Sequence, residues 1–142
     1  MNRGLRLYIG LGTLVLAAMY STACKGTQTV ETKPIESQRE GNLVVSLLNE
    51  KGELAQGQSR FVVWFRSVGD NKFVDVGSVT VSSSMAMPGM APMTAPIELE
   101  SAGSTGQYVG KGDFAMSGAW KFEVRWDGPA GRGVTSFNSN IR

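Results

Sequence analysis

The segment from Ala119 to Trp126 constrains the fold more than any other. Trp120, Phe122, Val124 and Trp126 fall in one phase, and Lys121, Glu123 and Arg125 fall in the other. Side chains of a β-strand alternate between its two faces, so this pattern specifies a strand with one buried and one wet side. A helix would spread the same aromatic residues around its circumference and could not bury them together. The aromatic face needs a second layer to cover it. With no helical period anywhere after Gly41, that layer is expected to be another sheet.

Other segments read the same way. Leu43 to Leu48 is a short apolar run followed by the turn-forming residues Asn49-Glu50-Lys51-Gly52. Arg60 to Val68 is rich in aromatic and β-branched residues, and Gly69-Asp70-Asn71 then turns the chain. Phe73 to Ser82 alternates, but Val74 and Val76 lie in one phase and Val79 and Val81 in the other. The slip at Gly77-Ser78 predicts a bulge. Ile97 to Glu100 and Gln107 to Lys111 supply two further strands. The turn Asp127-Gly128-Pro129-Ala130-Gly131 leads into a last one, Gly133 to Asn138. About seven short strands separated by frequent turn signals predict an all-β, antiparallel sandwich of immunoglobulin-like type.

The N-terminus is organised for export. Met1 to Arg6 carries two positive charges, and Leu7 to Ala23 is a 17-residue stretch without any. Its apolar centre, Leu11 to Ala18, gives way to the small residues Ser21-Thr22-Ala23 and then to Cys24. This is the three-part plan of a secretory signal, and its polar end makes it short for a membrane span. Ser21-x-Ala23 fits ordinary signal peptidase cleavage. Ala23-Cys24 resembles the end of a bacterial lipobox, whose cysteine receives diacylglycerol, although Ser21 stands where an aliphatic residue is usual. The single cysteine of the chain falls where a lipidated one must fall. The reading is therefore a lipidated Cys24, with plain cleavage and an uncleaved anchor as the alternatives. Several acyl chains give stable membrane attachment. Lys25 to Gly41 is polar and reads as a flexible tether. The expected organisation is a signal peptide over 1–23, a lipidated cysteine and linker over 24–41, and the sandwich over 42–142. The expected location is the cell envelope, membrane-anchored and facing the periplasm or the outside.

Composition excludes much of enzymology. Histidine is absent and Cys24 stands alone, so neither a Ser-His nor a Cys-His nucleophile exists, and no intramolecular disulfide can form. There is no Gly-x-Ser-x-Gly elbow. Gly110-Lys111 fails as a phosphate loop, because Thr105 holds the first glycine position and Gly112 replaces the hydroxyl residue. Asp70, Asp75, Glu98, Glu100 and Asp113 are scattered. The full chain has 14 basic and 12 acidic residues; Arg3 and Arg6 lie in the leader, which leaves 12 of each. No basic face remains to recruit nucleic acid. The expectation is a binding protein, not an enzyme.

Methionine is the biased residue. Met85, Met87, Met90 and Met93 fall within nine residues, and Met116 follows. Pro88, Gly89 and Pro92 keep this stretch out of a regular helix or central strand. The methionines therefore belong on a loop or strand edge. Neutral, polarizable thioethers suit soft ions such as copper(I) or silver(I), and they need no deprotonation. Without histidine or cysteine, the set is poor for copper(II) or zinc. Three thioethers would converge if Pro88-Gly89 turned the chain back. Two other readings stand beside the metal: an adaptable partner-binding surface, and methionines filling irregular gaps in a small core. Trp64, Trp120 and Trp126 invite a ligand platform, but on alternating strands they read as core.

Met85-Ala86-Met87-Pro88-Gly89-Met90, with Gly106-Gln107-Tyr108-Val109-Gly110 and Phe114-Ala115-Met116-Ser117-Gly118-Ala119-Trp120 downstream, resembles the YtkA-like domain. That family shows a methionine-proline loop, a Gly-x-Tyr strand and a Met-x-Gly-x-Trp turn. FixH proteins, associated with copper-oxidase assembly, are similar. The resemblance covers Asn42 to Ile141. It implies an immunoglobulin-like sandwich with Met116 near the methionine loop; a role in metal handling or oxidase assembly is the expectation that the methionine chemistry adds to it. Many relatives carry histidine in or near that loop; here sulfur alone would hold an ion. The alternative is a metal-free module that docks on an efflux or envelope complex.

Overall fold

The computed structural model describes residues 31–142. The signal-like segment, Cys24 and the first part of the tether lie outside the described residues. Nine strands follow: β1 (Lys33–Glu40), β2 (Leu43–Asn49), β3 (Gly57–Ser67), β4 (Ser78–Met85), β5 (Met93–Ala95), β6 (Ile97–Ser101), β7 (Gln107–Phe114), β8 (Gly118–Gly128) and β9 (Gly131–Ile141). They form a five-stranded sheet, β1-β2-β3-β7-β6, and a four-stranded sheet, β5-β4-β8-β9. Every named pairing is antiparallel. The predicted sandwich is the observed fold.

The aromatic face of β8 makes the core. Trp120, Phe122, Val124 and Trp126 are buried against the inward residues of the other sheet, Val45, Leu47, Phe61, Val63 and Phe65. Rings meet edge to face across the layers. Phe61 lies 5.8 Å from Phe122, Phe65 lies 5.5 Å from Trp126, and Phe114 lies 5.3 Å from Trp120. This arrangement sets positive ring edges against negative faces and adds to the stabilisation from buried area. Phe61 is also paired across the sheet with Gly110 of β7, and its ring lies over that glycine. A Cβ there would come within 2.3 Å of the ring.

Nine strands replace the expected seven, and the two additions have physical causes. β1 lies inside the stretch read as a tether, so the domain begins at Lys33 rather than Asn42. Its ladder to β2 runs from Lys33 opposite Asn49 to Glu40 opposite Leu43, broken by an irregularity between Pro34 and Glu36. As an edge strand it is held by this ladder more than by burial, so its composition stays polar. The Glu36 carboxylate reaches across to the other sheet and accepts a hydrogen bond from the Asn138 backbone N–H at 2.9 Å. β5 is the other addition, three residues long and hidden among methionine and proline. Phe73 to Ser82 is not one bulged strand. Phe73 makes a single bridge to Arg66, Asp75 Oδ1 accepts from the Gly77 N–H at 2.9 Å, and β4 starts only at Ser78.

Tyr108 closes the gap so formed. Its hydroxyl donates to the Gly77 carbonyl at 2.8 Å. Burial, with a smaller contribution from the Asp75 charge, pushes its pKa above the ordinary tyrosine value. The neutral form is favoured in the fold. Its contribution is therefore complete below about pH 10, the ordinary value, and is lost as pH rises through the raised one. Tyr108→Phe should be less stable than the parent at neutral pH, by about 1 kcal/mol. Denaturant titrations at increasing pH should show that gap closing only above pH ~10. A gap that stays constant to higher pH would refute the hydroxyl's role.

Candidate functional site

The antiparallel register puts one set of strand ends together. Lys33 begins β1 opposite Asn49, the last residue of β2. Gly57 begins β3 opposite Phe114, the last residue of β7. β8 begins opposite the end of β9, and Met85 ends β4 beside Met93 of β5. The loop between β2 and β3 seals this end. Leu54 pairs with Ile141, the Gln56 N–H donates to the Arg142 carbonyl at 2.7 Å, and Gln56 Nε2 donates to the Ala115 carbonyl at 2.8 Å.

The methionine segment is a hairpin on this end. Met85 pairs with Met93, Ser84 with Thr94 and Ser83 with Ala95. Cross-strand partners share a face of the sheet. Ser83 and Ala95, in phase with the methionine pair, are both buried, so Met85 and Met93 also point inward. The Ser83 hydroxyl donates to the Ala95 carbonyl at 3.1 Å and pins the short β5 in place. Sequence patterning did not single out this serine; its one signal is its phase with Val79 and Val81.

The reversal at Pro88-Gly89, posed as the condition for the methionines to converge, is present. The Met90 N–H donates to the Met87 carbonyl at 3.1 Å, and Gly89 has φ 75°. Proline at the second position and glycine at the third, left-handed one are what a type II turn requires.

The five sulfur residues divide into two groups. Met85 is 8% exposed and part of the core, and Met87 and Met93 are partly buried against it. Met90, at the turn, is 69% exposed, and Met116 is 41% exposed. The turn that carries Met116 is fixed locally, and its Gly118 lies beside the hairpin. The Met116 carbonyl accepts a hydrogen bond from Trp120 Nε1 at 3.0 Å, and Met85 Sδ lies 3.1 Å from the point where a Gly118 Cβ would stand. The hairpin thus gathers Met85, Met87 and Met93 at the edge of the core, while Met90 and Met116 face outward. From Ser83 to Ile97 there is no charged residue. The site offers neutral sulfur donors in apolar surroundings. Among the described residues, no group of three or more acidic, histidine or cysteine side chains is placed to hold a metal ion.

The tryptophans do not form a ligand platform. Trp120 and Trp126 are core residues on β8, whereas Trp64 lies on the opposite face of β3 from Phe65, edge to face with Phe73 at 5.5 Å. The Arg66 guanidinium sits 4.7 Å from the ring centres of both Trp64 and Phe73. Gly110-Lys111 falls within β7 and not in a loop before a helix.

Comparison with known proteins agrees with this architecture. The structure is similar to that of a copper-bound glutamate-to-glutamine variant of FetP from uropathogenic Escherichia coli, with a TM-score of 0.51 and 10% identity over 78% of this chain and 97% of FetP. It is also similar to FetP as isolated after expression in the periplasm of E. coli, with a TM-score of 0.50 and 11% identity over 78% of this chain and 96% of that one. At such identity these similarities speak for the fold. No curated protein matches the sequence. The YtkA-like family matches residues 37–125, which span the methionine hairpin, the Tyr108 strand and the Met116 turn, and the chain belongs to that family.

Proposed function

We propose that this protein is a membrane-tethered accessory protein outside the cytoplasm that binds copper(I) or silver(I) through its methionine hairpin, in metal handling or oxidase assembly. One observation carries the reading. The β4–β5 pairing sets Met85 beside Met93 on one face, with Met87 against the same core edge, in a segment without charge. A monovalent soft cation loses less hydration on entering such a site than a divalent one, and sulfur is the donor it prefers. The copper in the FetP structure belongs to FetP, and lends support by analogy of fold only. The anchor is Cys24, carrying lipid. The role is binding and delivery, with no catalytic step.

The test is a silver(I) titration of the full chain in detergent beside a variant with Met85, Met87, Met90 and Met93 all changed to leucine. Leucine keeps size and apolarity, so the fold should survive at a cost below about 1.5 kcal/mol per position. Saturable binding is expected in the parent and none in the variant, with zinc and copper(II) bound by neither. Binding that is absent from the parent, or equal in the variant, would rule the metal out. The exposure of Met90 and Met116 favours the second reading in that event, a metal-free module that docks on an efflux or envelope complex.

A further inference from the structure

We infer that the methionine end of the sandwich lies against the lipid surface of the membrane, with Met90 and Met116 at the interface. The inference rests on the lipid anchor of the proposed function and is independent of the metal.

Topology supplies the first argument. β1 starts at Lys33 opposite the end of β2, so the chain arriving from Cys24 enters the domain at the end that carries the hairpin. Reach supplies the second. From Cys24 to Lys33 is nine residue steps, which fully extended span at most roughly 30 Å. β8 and β9 have 11 residues each, so the sandwich measures roughly 35 Å along its strands. Turning the opposite end toward the bilayer would require the connection to run back along that whole length. It is too short, so the hairpin end stays nearest the membrane.

Surface chemistry supplies the third. Met90, Met116 and Val134 are the exposed large apolar side chains of the described residues, and two of the three are at this end. Val134 lies three residues into β9, near the far end. The rim here is also asymmetric. The β2–β3 loop carries Glu50, Lys51 and Glu53, with Glu53 paired to Arg142 at 3.2 Å, whereas Ser83 to Ile97 carries no charge. An uncharged tip of methionine, proline and alanine enters the headgroup boundary at little desolvation cost, and the charged loop stays in water beside it.

The experiment uses the full-length, membrane-resident chain. With the Cys24 thiol consumed by lipid, Met90→Cys and, separately, Val134→Cys introduce single sites for a bimane fluorophore. Both replaced side chains are exposed, so neither change should disturb the fold. Phosphatidylcholine carrying a shallow nitroxide should quench the label at position 90 several-fold more than the label at position 134. The same ratio is expected with a copper(I) chelator present, which separates this result from the fate of the metal reading. Equal quenching at the two positions would overturn the proposal. So would recovery of the chain outside the membrane fraction. A label at position 90 that is shielded from aqueous iodide yet not quenched by lipid would assign the surface to a protein partner instead, and would equally overturn it.

Discussion

Phe122→Ala is expected to lower the unfolding free energy by about 3–5 kcal/mol, a large share of what a domain of this size possesses. Phe122 is fully buried at the middle of β8 and meets Phe61 and Phe114 of the opposite sheet edge to face, at 5.8 and 5.6 Å. Removing the ring takes its own transfer free energy and leaves a cavity. The cavity cannot close easily, because the facing rings are fixed by strands on both sides. Lys121, the preceding residue, points into solvent, and Lys121→Ala should cost under about 0.5 kcal/mol. Urea or guanidinium unfolding followed by tryptophan fluorescence measures both. Comparable losses for the two variants would show that the inward phase of β8 is wrongly assigned.

Gly110→Ala is expected to destabilise by about 3 kcal/mol, the upper part of the range for overpacking a core. The added methyl would stand 2.3 Å from two atoms of the Phe61 ring. That ring is fully buried and has no free space to move into, since Phe122 blocks it from the other sheet. Either the ring leaves its preferred rotamer or β3 and β7 separate locally. Gly69→Ala is the control. Its nearest neighbour would be a serine oxygen at 3.9 Å, so its effect should stay within about 0.5 kcal/mol. Equal thermal midpoints for the two variants would mean that Phe61 does not lie over Gly110.

How much could be read from the sequence depended on what holds each element. β8 was legible because one residue in two is aromatic or aliphatic and the others are charged, so burial and backbone period coincide. β1 was not, because an edge strand takes its stability from ladder hydrogen bonds to β2, and Pro34 to Glu40 shows little apolar alternation. β5 was hidden for a similar reason: Met93-Thr94-Ala95 has only Thr94 to favour a strand, lies between Pro92 and Pro96, and pairs because Ser83 and Met85 present a ready edge. At the site, the reversal at Pro88-Gly89 followed from local turn chemistry. The separation of buried Met85 from exposed Met90 did not, since it depends on which face of β4 turns inward. Nothing within residues 85–93 records that. The proximity of Met116 to the methionine loop was an expectation from the family resemblance alone; what the structure gives Met116 is a backbone hydrogen bond from Trp120 within its own turn.

The polar edge strand also has a mechanical meaning. A pull on the chain at Lys33, directed along β1 and away from the domain, loads the hydrogen bonds between β1 and β2 in shear. Every rung from Lys33 to Glu40 then shares the force, and the Glu36 carboxylate bound to the Asn138 N–H ties the strand to the second sheet as well. Bonds strained in parallel fail together, whereas a pull across the strand, perpendicular to β1, would peel them apart one at a time. A strand with few apolar contacts is thus well suited to the position that would take the load from the proposed lipid anchor.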